Sequence, residues 1–211
     1  MQVIDLTHTL ETGMPVFPGS EPASLSKISD CESDGYNETL LHFSAHTGTH
    51  IDCGRHFIRD GFDTADTPPG RFFGKGLVID CRQGISKSRL QLYEKKIENS
   101  DFVLLFTGWS RFWGGNEYMT GFPVPDPEAV RYLTRFKLKG IGTDAISFDP
   151  VETHDYVAHK TLLAAGMVLI ENLVRLEDLP AEGFLFCCFP LKIAGGDGSP
   201  VRAVGIVMSN E

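Results

Sequence analysis

Between His46 and His56 the chain carries His46, His50, Asp52 and His56, all at even-numbered positions of the run HTGTHIDCGRH. Imidazole nitrogen and carboxylate oxygen together suit zinc, manganese or ferrous iron. A helix would scatter side chains two residues apart, whereas a strand places them on one face. The odd-numbered residues Leu41, Phe43, Ala45, Thr47, Thr49, Ile51 and Cys53 are mostly apolar or β-branched, while Ser44, His46, Gly48, His50 and Asp52 are polar or bare. The spacing predicts one half-buried strand through this stretch, its odd face inward and its even face presenting ligands to a cleft. Gly48 leaves a gap between two histidines where an ion or backbone can approach closely. Neighbouring histidines also occur as satisfied polar groups on a surface strand; the shared parity of all four groups favours metal binding. Parity puts Cys53 on the opposite face, as packing.

A cluster of this kind needs a scaffold, and the chain is long enough to supply one. Its 211 residues, 42% hydrophobic and 22% charged, suit one domain with a proper core. The net charge of −9 argues against nucleic acid and anionic membrane surfaces as partners. Five cysteines, Cys31, Cys53, Cys81, Cys187 and Cys188, include no Cys-x-x-Cys pair. They read as reduced thiols of a cytoplasmic protein. No signal peptide and no run approaching 18 apolar residues is visible.

Several stretches read as elements. Val3–Thr9 is a first strand, and the Pro- and Gly-punctuated loop Gly13–Gly19 holds Phe17 either as a core plug or as a wall for an aromatic substrate. From the loop alone, the plug is the simpler reading. Residues 20–37 look irregular. The loops containing Asp60-Gly61 and Pro68-Pro69-Gly70 are expected to shape the mouth of the site. Strands are expected at 76–80 (GLVID), 101–107 (DFVLLFT), 140–144 and 167–172, with helices at 86–98, from Asp126-Pro127-Glu128 to about 137, and from 153 or 155 to 165. Alternating strands and helices argue for an α/β domain. Residues 184–193 and 201–208 read as closing strands. The glycine-rich stretch 195–200 lacks the lysine of a phosphate-binding loop and reads as a structural turn.

A second candidate cluster comprises His159, which shares a helix face with Leu162 and Leu163, and Glu171, which ends an apolar run. A carboxylate buried there needs a partner. A metal ion would serve, and so would a neighbouring Lys or Arg; spacing alone leaves both open.

The chain resembles the cyclase-type metal-dependent hydrolases, which include bacterial kynurenine formamidase and isatin hydrolase. The resemblance runs from Asp5-Leu6-Thr7-His8 and Pro15-Val16-Phe17-Pro18-Gly19 through the H-x-G-T-H-x-D core with His56-Phe57. It continues at 142–149 (GTDAISFD), His159, 170–173 (IENL), Pro190-Leu191-Lys192 and 197–202 (DGSPVR). It implies one domain over residues 1–211, of the swivelling β/β/α type, with a mixed sheet and flanking helices. His46, His50 and Asp52 match one metal set, and His159 and Glu171 a second, with Asp52 bridging. His56 matches the catalytic proton carrier. Phe17 matches an aromatic position, often Trp, that packs on the substrate ring. The resemblance further implies one or two divalent ions, zinc or else manganese, and a homodimer or higher homo-oligomer. Two departures stand out: no proline precedes His56, where formamidases usually read Asp-Ala-Pro-x-His, and Arg55 adds a cation that is either a substrate anchor or a solvated surface group.

The chemistry expected is hydrolysis of a small amide, in the first instance N-formylkynurenine to kynurenine and formate, by water of lowered pKa with His56 moving the proton. The alternatives are opening of a cyclic amide, imide or lactone, and a non-catalytic metal-binding module. No G-x-S-x-G elbow and no His-Glu-x-x-His motif is present.

Overall fold

Runs such as VLLF and VLIE carry apolar side chains at consecutive positions, a pattern that a sheet covered on both faces can bury. The computed structural model describes residues 1–208. Its strands are β1 (Gln2–Asp5), β2 (Ser24–Ser29), β3 (Glu38–His42), β4 (His50–Asp52), β5 (Phe73–Asp80), β6 (Phe102–Phe106), β7 (Gly140–Thr143), β8 (Val168–Glu171), β9 (Phe184–Cys187), β10 (Gly198–Pro200) and β11 (Val204–Val207). The α-helices are α1 (Cys31–Asp34), α2 (Lys87–Gln91), α3 (Glu94–Glu98), α4 (Pro127–Leu133) and α5 (Val157–Ala164).

Nine strands form one mixed sheet in the order β1-β11-β9-β5-β6-β7-β8-β4-β10. The central β5, β6, β7 and β8 are parallel, and every other pairing is antiparallel. Alternation along β6 divides two cores. Val103 and Leu105 pack with Leu90, Ile97, Leu133 and Leu162 of the helical layer. Phe102 and Leu104 face the other way, with Ile4, Leu6, Ile51, Phe184 and Phe186. Since β1 and β4 lie near opposite ends of the strand order yet share that second core, the sheet curls around it. The Val174 N–H donates to the Leu6 carbonyl across the gap. Cys53 is fully buried in this core, and all five cysteines are free thiols. This is a mixed α/β fold, as expected. Among the described residues no helix is long and apolar enough to cross a membrane.

The structure corrects four element readings. The strand expected through 41–53 is broken: β3 ends at His42, residues 43–49 turn, and only His50–Asp52 is strand. Gly48 sits at φ +64°, a conformation incompatible with a continuing strand. Leu40 and Leu41 are accordingly exposed on β3, which pairs with β2 in a separate two-stranded hairpin, and β2 lies inside the stretch 20–37 that reads as irregular. The helix expected over 86–98 is two short ones, because the chain leaves helical geometry at Tyr93 (φ −112°, ψ 8°). The stretch 195–200 is more than a turn, since Gly198–Pro200 pairs with β4 as an edge strand.

Candidate active site

The antiparallel pairing of β4 with β8 sets His50 directly opposite Glu171. Asp52 lies two residues along β4 on the same face. The His50 Nδ1–H donates to the Gly48 carbonyl at 2.8 Å, which fixes the tautomer and leaves Nε2 as an acceptor. That Nε2 lies 3.3 Å from Asp52 Oδ1 and 3.4 Å from Glu171 Oε2.

His159 enters from α5. Its Nε2 is 3.2 Å from Glu171 Oε1 and 3.5 Å from Asp52 Oδ2. Its Nδ1 is held at 2.7 Å by Asp149, whose carboxylate also accepts the N–H groups of Ala158 and His159. One aspartate thus caps α5 and orients its imidazole. Asp149 does this because Tyr156, at the head of α5, is in the left-handed region (φ +49°) and offers no side-chain cap. Burial disfavours the His159 cation, but Asp149, Asp52 and Glu171 together push its pKa well above the usual histidine value.

His46 comes from the turn after β3. Its Nδ1 is 2.6 Å from Asp52 Oδ1 and its Nε2 is 3.0 Å from Asp197 Oδ2. Burial opposes its charging; the two carboxylates outweigh burial and raise its pKa to about 10. The hydrogen bond from His46 in turn lowers Asp197 to about 2. His56 ends a short 3-10 helix, Gly54–His56, and stacks on His46 with ring centroids 4.0 Å apart. Burial foremost, with His46 and His159 nearby, pushes its pKa down to about 4, so it is neutral at pH 7.

Whether this set suits a divalent ion is decided by Asp52. Its carboxylate is 1% exposed, and Oδ2 accepts no hydrogen bond, since 3.5 Å to His159 Nε2 is too long for a good one. A buried carboxylate oxygen without a donor is costly, and a cation removes that cost. His50, Asp52 and Glu171 offer three donor atoms within 4.8 Å of one another, as do His46, Asp52 and His56. Nitrogen and oxygen donors at that spacing fit a zinc- or manganese-type ion.

A cleft of about 440 Å³ opens over these groups. His46, His50, His56, His159 and Glu171 lie on one side; Phe17, Phe57, Ile146 and Tyr156 form apolar walls. The structure therefore brings together all five residues of the two clusters, with His56 and Phe17 beside them. It does not use the loops at 60–70 as the mouth: Arg55, Phe62, Asp63, Pro68 and Arg71 line a different hollow, and Arg55 reaches toward Asp63 at 3.9 Å. Arg55 thus stands outside the cleft lining. Among the described residues no lysine or arginine lines the cleft.

Asp149, Asp197, Phe57 and Tyr156 were not singled out from the sequence. The first three lie in quoted motifs, 142–149, 197–202 and His56-Phe57, and could have been found there. Tyr156 carries no such signal.

Comparison with known proteins gives four findings. The family model Cyclase, described as "Putative cyclase", matches residues 4–150. A kynurenine formamidase of Erythrobacter litoralis (strain HTCC2594) is 33% identical over 204 residues, covering 96% of this chain and 93% of the relative. Among solved structures, isatin hydrolase A from Labrenzia aggregata bound to benzyl benzoate superposes with a TM-score of 0.89 at 29% identity, covering 99% of this chain and 94% of that one. A structure described as a potential metal-dependent hydrolase with cyclase activity gives a TM-score of 0.79 at 28% identity over 99% of each chain.

Proposed function

Because this chain belongs to the cyclase family of metal-dependent hydrolases, we propose that it is an amidohydrolase converting N-formylkynurenine to kynurenine and formate. The observation that carries this reading is Asp52, a buried carboxylate with an undonated oxygen, ringed by His46, His50, His159 and Glu171 at the foot of an aromatic-walled cleft. In this reading those five residues hold one or two divalent ions, zinc in the first instance. Bound there, such an ion would supply Lewis acidity and lower the pKa of a water.

The remaining work falls to the chain's own groups. His56 is neutral at pH 7, and its Nδ1 lies 3.6 Å from Asp197 Oδ2. In this reading its neutral imidazole takes the proton of the attacking water and returns it to the amine nitrogen as the C–N bond breaks. Asp197 steadies the imidazolium in between. Phe17, Phe57 and Tyr156 sandwich an aryl ring and keep bulk water from the carbonyl.

A second reading has its own support. Among the described residues the cleft is lined by no lysine or arginine, the usual long-armed partners of a substrate carboxylate, which favours a neutral cyclic amide, imide or lactone. Metal analysis of the purified protein, followed by assay on N-formylkynurenine, isatin and a simple lactone, separates the two. Turnover of the formamide alone supports the first reading; turnover of the ring compounds alone overturns it in favour of the second. His56→Ala is expected to keep metal and lose turnover, and retention of full activity would remove His56 from its role. The same reading carries a single domain, a homodimer and cytoplasmic residence. Limited proteolysis, light scattering and cell fractionation test these in turn.

A further inference from the structure

The geometry points to Asn172, supported by Tyr118, as the positioning residue that holds the His50–Glu171 pair in register for a metal ion. The inference rests on the reading of His50 and Glu171 as metal ligands and concerns what stands behind them.

Asn172 follows Glu171 directly and is buried at φ +56°. Asparagine is one of the few L-residues that takes this conformation, and its side chain then has local partners within reach. Every polar group of Asn172 is engaged. Its N–H donates to the Ala145 carbonyl at 3.0 Å. Its carbonyl accepts the Thr49 hydroxyl at 2.6 Å. Its Oδ1 accepts the Tyr118 hydroxyl at 2.7 Å. Its Nδ2 donates to the Gly48 carbonyl at 2.8 Å.

The last bond matters most. The Gly48 carbonyl is the same acceptor that receives His50 Nδ1–H. Two donors pin that oxygen, one from the ligand side chain and one from the residue beside the other ligand. Asn172 therefore ties the turn before β4 to the end of β8, and through it the His50 tautomer to the Glu171 backbone. Gly48 itself is constrained by its φ of +64°, where an L side chain is strained.

Tyr118 brings the aromatic segment 109–122 into the same network. Its ring is fully buried, its carbonyl accepts Trp109 Nε1–H at 3.0 Å, and Trp113 packs edge-on to it. Phe17, on the cleft wall, packs against that cluster. Partners behind metal-bound histidines typically change metal affinity 10–100-fold when removed.

The test is zinc affinity, measured by chelator competition on the full chain with zinc alone as the probe. Asn172→Gly keeps the left-handed backbone and removes only the side-chain bonds; it is expected to weaken zinc binding about 10–100-fold. Tyr118→Phe keeps the ring and removes one donor, and is expected to weaken binding by a smaller factor, about 3–10-fold. Leu90→Ala, in the helical core away from the cleft, serves as the comparison: it should lower the melting temperature without moving zinc affinity. If both Asn172→Gly and Tyr118→Phe bind zinc as the parent does, the inference is overturned while the site reading stands. If the parent protein binds no zinc or manganese, the site reading fails and takes this one with it. Should Asn172→Gly fail to fold, Tyr118→Phe decides alone.

Discussion

Replacing Asp149 tests whether one carboxylate serves both α5 and His159. Asp149 accepts Ala158 N–H and His159 N–H at 2.9 Å each and lies 2.7 Å from His159 Nδ1. In Asp149→Ala all three donors lose their acceptor inside a buried site. Loss of a helix cap costs about 1 kcal/mol. The second backbone donor and the imidazole N–H, left without acceptors, add on the order of 1 kcal/mol each. The sum is about 3 kcal/mol of folding stability, read by urea unfolding. Asp149→Asn keeps one oxygen for the backbone and is expected to lose about 1–2 kcal/mol. Both variants also free the His159 ring to rotate, so zinc affinity should fall about 10–100-fold in each. If Asp149→Ala unfolds within about 0.5 kcal/mol of the parent, the capping argument is wrong. If it binds zinc unchanged, Asp149 does not orient His159.

Other outcomes follow from the same geometry. Exhaustive chelation should abolish turnover and lower the melting temperature, and zinc or manganese should restore both; a chelated protein with full activity would exclude a metal role. Phe17→Ala should raise KM about tenfold for an aryl substrate while leaving zinc affinity unchanged, as titrations and initial rates would show. His8 stacks on Trp113 with its Nε2 buried and unpartnered, and burial lowers its pKa to about 4. Because the folded value lies below the unfolded one of about 6.5, the neutral ring's contribution is whole above pH 6.5 and drains as pH falls toward 4. After allowance for its partial exposure that amounts to about 1–2 kcal/mol, and His8→Phe should flatten stability over this window relative to the parent.

The central sheet is legible because β6, most of β8 and the Leu77–Ile79 half of β5 are apolar at successive positions, the mark of strands buried on both faces. The even parity of His50 and Asp52 was read correctly for the same kind of reason. His46 reaches Asp52 by another route. Gly48, in the left-handed region between the histidines, turns the chain there, and side-chain periodicity carries no mark of such a turn. Asp149 caps α5 from nine residues before Ala158, beyond the local window of a capping pattern. The motif 197–202 contains Asp197, but its contact with His46 depends on the pairing of the adjacent β10 with β4, which spans most of the chain. Long-range register of this sort leaves no local periodicity.

The antiparallel ladder between β4 and β8 acts as a ruler. One residue of slippage would turn His50 and Asp52 to the opposite face, so the donor spacing is inherited from backbone hydrogen bonds. The cleft walls come from elsewhere, namely the turn around Phe17, the 3-10 segment at His56-Phe57, and the stretch from Ile146 to Tyr156. Substituting the wall side chains Phe17, Phe57, Ile146 and Tyr156 leaves the ruler, His56 and Asp149 in place. Divergence can therefore rewrite which molecule enters while the hydrolytic hardware keeps its dimensions, a division of labour consistent with relatives near 30% identity that bear different substrate names.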